Sequence, residues 1–326
     1  MHPAFSVIFL TTLIGAGQGL FLALFLVQVL GVVDALPLQD GVMFYAMGSL
    51  IALLLLGGGL IASFFHLGHP ERAWRSAAMW RTSWLSREVI VLPAVMGAIF
   101  VYGVLHYFGN QTNLFNFTNP QLGALTLWVG VGGTVLCIAL FVCTGMIYAC
   151  LKFIEEWHSP LTLINYTLLG TASGFVLATA FSTYVAPDLV QFFAWCSLGL
   201  TLLALVFRVG ALVRNKRIRH MSNLQTAIGV KHSKIQQKAQ GAMGGSFNTR
   251  EFFHGKSPVF FKSIKWIFLV LVFVIPTLLL LVAVNVQAST LFVAVFLIQY
   301  VGLLAERWFF FAQAKHPQNL YYQTIS

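Results

Sequence analysis

Apolar residues run along this chain in long unbroken blocks, with neither the alternation of a half-buried strand nor the narrow stripe of a surface helix. A membrane-spanning helix needs about 20 mostly apolar residues. The blocks predict eight of them, at Phe5 to Val33, Gly41 to Phe65, Glu88 to Phe108, Leu122 to Leu151, Leu161 to Val185, Leu189 to Val213, Trp266 to Val286 and Ser289 to Ala312. The reading is an all-α integral membrane protein, one eight-helix bundle over residues 1–326. Continuous blocks disfavour a transmembrane β-barrel, and an even number of spans puts both termini on one side. Pro93 and Pro276 fall inside blocks, where each is expected to kink its helix. The opening MHPAFSVIFL has no positive stretch before its apolar run, so it reads as a first span and not as a cleaved signal.

Composition agrees: 58% of residues are hydrophobic and 9% charged, too little polar surface for a water-soluble domain of this length. Cys137, Cys143, Cys150 and Cys196 all lie in apolar runs without a CxxC pair or Cys/His ligand spacing, and read as small buried hydrophobes.

Charge orients the bundle. The net charge of +10 would suggest nucleic acid in a soluble protein, but here the positive-inside rule accounts for it and no nucleic-acid partner is expected. All 19 Lys and Arg residues fall on the side of the termini when Arg208 and Arg307 are counted with the helix ends. The opposite side offers only Asp34, Asp40 and Asp188. Discounting the long third loop leaves the bias intact, so both termini are expected in the cytoplasm, in a bacterial inner membrane.

Two polar segments stand out. The loop at 214–265 is basic and carries aromatic clusters, EFFHG and then PVFF. It reads either as a solvated loop that enforces topology and attracts anionic lipid, or as a docking surface for a soluble partner. The loop at 66–87, HLGHPERAWRSAAMWRTSWLSR, interleaves Trp74, Trp80 and Trp84 with Arg72, Arg75 and Arg81, as a helix lying at the membrane surface would. His66 ends the second span and Glu88 opens the third, with Ser86 as its expected N-cap, so the two sit at one depth. An imidazole and a carboxylate there could bind a quinone carbonyl and exchange its protons. The bland alternative is that Glu88 complements the helix dipole and His66 caps an end.

HLGHPERAW followed by TSWLSREV, with the glycine-rich IGAGQGL in the first span, resembles the DmsC family of membrane anchors of DMSO-reductase-type molybdoenzymes. The resemblance implies a protein that holds a molybdopterin catalytic subunit and a four-cluster iron-sulfur subunit at the membrane and exchanges electrons with a quinone, ubiquinone or menaquinone. It implies His66 and Glu88 as the quinone-site pair; by position, Arg72, His69 and Gln18 are further candidates. No haem, cluster or metal is expected in this chain. Inward-facing charge shifts the expectation towards the anchors of cytoplasmic sulfite dehydrogenases, which are similar to DmsC. Electrons from sulfite would then pass to quinone, and the chain itself would not act on sulfite. The alternative is a quinol-oxidising anchor of a DMSO or related reductase.

Two other classes are less well supported. A haem b anchor needs two histidines at matching depth on facing helices; His106 lies at the far end of span three, away from His66, His69 and His158 at the near rim. A transporter tends to place ionisable groups near the midplane. The spans read as free of central charge and of any buried carboxylate chain, with Gln18, Gln299 and Asn165 as the main polar positions, expected to bond between helices.

Overall fold

The structure, a computed structural model, describes residues 1–109, 123–232, 234–236, 254–286, 289–317 and 319–320. Among these, eight helices are long and apolar enough to cross a membrane, and the protein is multi-pass. They are α1 (Phe5–Val32), α2 (Gly41–Phe64), α3 (Trp84–Tyr107), α4 (Leu125–Ala149), α5 (Pro160–Val185), α6 (Pro187–Lys216), α7 (Pro258–Val286) and α8 (Ser289–Ala312). Met1 N donates to Ala314 O at 2.9 Å, so the segments before α1 and after α8 meet at one face, called here the terminal face.

α1 is the central post. It packs on α2, α4, α5 and α8, and 72% of its most apolar stretch is buried. Its glycines set the fit against α5: a Cβ on Gly19 would come within 2.5 Å of Gly170 O, and one on Gly174 would fall inside the backbone of Gly19 and Leu20. Lipid tails are as apolar as leucine, so close backbone approach of this kind supplies the packing energy that water exclusion supplies elsewhere. The glycine-rich IGAGQGL therefore has a structural use of its own.

Side-chain caps start three of the four helices that leave the terminal face, two of them with proline in the first turn. Ser83 accepts from Ser86 N before α3, Ser159 from Leu161 N before α5, and Ser257 from Phe260 N before α7; Pro160 and Pro258 take first-turn positions where no N–H is needed. α3 consequently begins four residues before the sequence-based boundary, capped by Ser83 and not by Ser86, and Glu88 lies in its second turn. α7 begins eight residues earlier than expected. Its PVFF is the first turn of a spanning helix and not loop: Phe261 stacks on Phe309 at 4.6 Å, and buried His254 stacks on Phe261. Glu251, Phe252 and Phe253 of EFFHG lie outside the described residues. In α7 a π-helical stretch, Val270–Val274, directly precedes Pro276, so a widened turn accommodates the proline. Pro93 lies within continuous α3.

Polar side chains stitch the bundle as expected for two of the three glutamine and asparagine positions. Gln299 Nε2 donates to Thr201 Oγ1 and to Val272 O, both at 3.3 Å, and Asn165 Nδ2 donates to Leu161 O at 2.8 Å and Phe207 O at 3.5 Å. Cys137 and Cys143 are buried and Cys196 half-buried, but Cys150, expected inside, caps α4 and is exposed.

Candidate functional site

Beyond the end of α2 the chain runs exposed along the terminal face. Pro70–Met79 is a 3-10 helix with no buried residue, in the segment that the sequence suggested as a helix lying at the membrane surface. Three guanidiniums lie over rings: Arg75 is 5.5 Å from the Trp74 centroid, Arg81 5.4 Å from Trp80 and Arg87 4.3 Å from Trp84. Arg87 also donates to Trp80 O at 2.9 Å and Arg81 O at 2.8 Å, tying this segment to the first turn of α3. His69 and Arg72 share Glu71, at 3.0 and 3.8 Å, with all three exposed. His66 is exposed as well, though partial burial at the helix end holds its imidazole below the ordinary histidine range.

Glu88 and Gln18 belong to a different environment. Glu88 lies four residues inside α3, about 6 Å from its start, and is buried, accepting a hydrogen bond from Thr144 Oγ1 of α4. Thr144, Gln18, Tyr166 and Arg307 line a common cavity of about 20 Å³. Among the described residues Gln18 Nε2 has no hydrogen-bond partner. The five candidate residues therefore separate into an outer group, His66, His69 and Arg72, and an inner pair, Glu88 and Gln18. Among the described residues no hydrogen bond or ion pair joins the groups, although α2 and α3 pack together.

Behind the inner pair lies a charged cluster that the sequence concealed. Arg208, counted with loop charges, is 2% exposed, and its Nη2 lies 2.7 Å from Glu306 Oε1. Arg307, counted with the tail, is 4% exposed, with Nε 3.2 Å from Glu306 Oε2 and its guanidinium 3.7 Å from the Tyr166 ring centroid. The spans are thus not free of buried charge, and a buried carboxylate is present beyond Glu88. Arg208 sits eight residues before the end of α6 and Glu306 six before the end of α8, about 12 and 9 Å inside. Tyr148 bridges the two zones: it stacks on Tyr166 at 5.5 Å and lies within electrostatic reach of both Glu88 and Arg307. The one legible signal was the charge itself, Arg208 within LALVFRVGAL and the pair Glu306–Arg307 within LLAERWFF.

Two further histidines are engaged elsewhere. His106 stacks on Tyr45 at 4.3 Å and meets Tyr102 edge-on at 4.5 Å, while His158 Nδ1 is 2.7 Å from Ala149 O.

Comparison with known proteins covers the whole chain. A subunit of the sulfite dehydrogenase of Allochromatium vinosum is 57% identical over 326 residues, covering all of both chains. The family of DMSO reductase anchor subunits (DmsC) matches residues 1–322, and the chain belongs to that family.

Proposed function

We propose that this chain is the quinone-reactive membrane anchor of a molybdoenzyme, passing electrons from cytoplasmic sulfite oxidation to quinone. The observation that carries the reading is the 57% identity to a sulfite dehydrogenase subunit over the full length of both chains. Support from the fold is local: a buried carboxyl, Glu88, stands at the base of the α2–α3 hairpin, beside an exposed rim with histidine and arginine donors. On this reading the terminal face is cytoplasmic, and a four-cluster iron-sulfur subunit and a molybdopterin subunit dock there against the basic loops.

The donor set fits a quinone headgroup. A quinone supplies a two-electron carrier whose reduction consumes two protons. His66, with its imidazole held below the usual range, is neutral near pH 7 and offers a hydrogen bond to a carbonyl oxygen. Glu88 holds or yields a proton, with Thr144 Oγ1 orienting its carboxyl. The cavity beside Thr144 has room for a water and not for a ring. Gln18 and Thr144 therefore act on Glu88 and its protons, and the ring is left to the His66 side. Arg72 and His69, exposed and paired with Glu71, line the approach.

Glu88→Gln tests this in the intact complex. Quinone-linked turnover, normalised to dye-linked activity of the same preparation, should fall about 100-fold, within the range of a lost general acid; unchanged quinone kinetics would remove Glu88 from the site. The family description favours a second reading, in which the anchor oxidises quinol for a reductase. Supplying sulfite with quinone, and quinol with a sulfoxide, separates the two by which pair turns over.

A further inference from the structure

The cavity beside Thr144 has a neighbour. A second cavity, about 10 Å³, is lined by Glu156, Asn165, Arg208, Glu306 and Gln313, and the two cavities share Tyr166 and Arg307 as a common wall. Each has roughly the space of one water. Both are lined by buried polar atoms without hydrogen-bond partners among the described residues: Gln18 Nε2 in the first, Asn165 Oδ1, Arg208 Nε and Gln313 Nε2 in the second. Buried polar groups of this kind are ordinarily satisfied by ordered water. The second cavity reaches the terminal face through Glu156, which is 7% exposed and lies 3.6 Å from Nε2 of His220, a third of whose side chain is exposed.

We propose that these groups form a hydrated proton route from the terminal face to Glu88, entering at His220 and Glu156, passing Glu306 and Tyr166, and ending at Thr144. It deepens the quinone reading above and rests on it. Each proton that Glu88 gives to a quinone oxygen is replaced by one taken from water at His220 and Glu156, while the two electrons come from the reduced iron-sulfur partner. Two protons and two electrons thus convert one quinone to one quinol. Arg208 and Arg307 hold the Glu306 carboxylate in place between them. With one carboxylate between two guanidiniums that cluster carries one positive charge. An ionised Glu88 across Tyr148 balances that charge in part.

The test uses the intact complex in membrane vesicles, with Glu156→Ala at the entrance and Tyr166→Phe at the shared wall. Tyr166→Phe keeps the ring under Arg307 and removes only a hydroxyl, so it remains informative where a charge variant fails to assemble. Expected results are a loss of more than tenfold in quinone-linked turnover relative to dye-linked activity, unchanged KM for quinone, and a larger solvent deuterium isotope effect. Acetic acid should restore turnover in Glu156→Ala without accelerating the parent. Parental turnover and isotope effect in both variants would overturn the route. If Glu88→Gln is impaired while these variants are not, the route alone fails; if Glu88→Gln also behaves as the parent, Glu88 leaves the quinone site and the route fails with it.

Discussion

Two regions at one end of the bundle use the same residue types in opposite surroundings. Along Pro70–Met79, Arg72, Arg75, Glu71 and Trp74 lie in the open, with the Arg75 guanidinium over the Trp74 ring and Arg72 near Glu71. Around Glu306, two arginines, one glutamate and Tyr166 are packed between α5, α6 and α8 with almost no exposure. Exposed pairs are screened and contribute little, about 1 kcal/mol or less. A buried pair has lost its hydration, so removing one partner strands the other at a cost of about 3–5 kcal/mol. The segment rich in charge by composition is therefore the weaker structural determinant, and the three charges scattered over two apolar blocks are the stronger.

Glu306→Gln puts this contrast to its hardest trial. It leaves two buried guanidiniums without a carboxylate and should destabilise the protein by about 3–5 kcal/mol, read from denaturant unfolding in detergent. Replacing Arg208 and Glu306 together by leucines should recover part of that loss, and a double-mutant cycle measures how much. Equal stability in Glu306→Gln and the parent would show that the cluster is not energetically distinct from the rim.

Gly174→Ala comes next, because its methyl group would fall inside the backbone of α1. Overpacking of this sort costs about 1–3 kcal/mol, and a lowered Tm with both helices still formed would confirm that the glycines set the α1–α5 distance. At the rim, Glu71→Gln should change stability by no more than about 1 kcal/mol; a larger change would make the exposed segment a structural element in its own right.

His66 gives the smallest effect and one with a definite sign. Its folded imidazole resists protonation more than the unfolded one does, so its contribution to stability is complete above the ordinary histidine value, about 6.5, and declines as pH falls through the lower folded value. Melting curves of His66→Gln and the parent, compared from pH 7.5 downwards, should therefore converge on acidification if the parent starts higher. A parent that gains relative stability in acid would contradict the assignment.

Much of the fold was legible because membrane spans announce themselves locally. Gln299 and Asn165 bond between helices as their position in apolar runs suggested, and the glycine-rich IGAGQGL lies where the backbones of α1 and α5 approach closely. The boundaries of α3 and α7 were placed too late because Ser83, Ser257 and Pro258 start helices in polar or mixed sequence, ahead of the apolar run that marks the span. Glu88 was legible as an ionisable group at a helix start, but its partner Thr144 lies 56 residues away and carried no signal. Arg208 and Arg307 were assigned to helix ends because charge near an end normally reaches water.

The order of residues was enough to mark out eight apolar helices of membrane-crossing length and the basic loops between them, because apolar length and loop charge are properties of contiguous residues. Which charges face water and which face one another came from packing alone. Arg208 and Glu306 stand 98 residues apart and become partners only when α6 and α8 pack side by side. The same packing places Gln18, Thr144, Tyr166 and Arg307 around one small cavity, since burial and pairing depend on neighbours in space that no single stretch of chain contains.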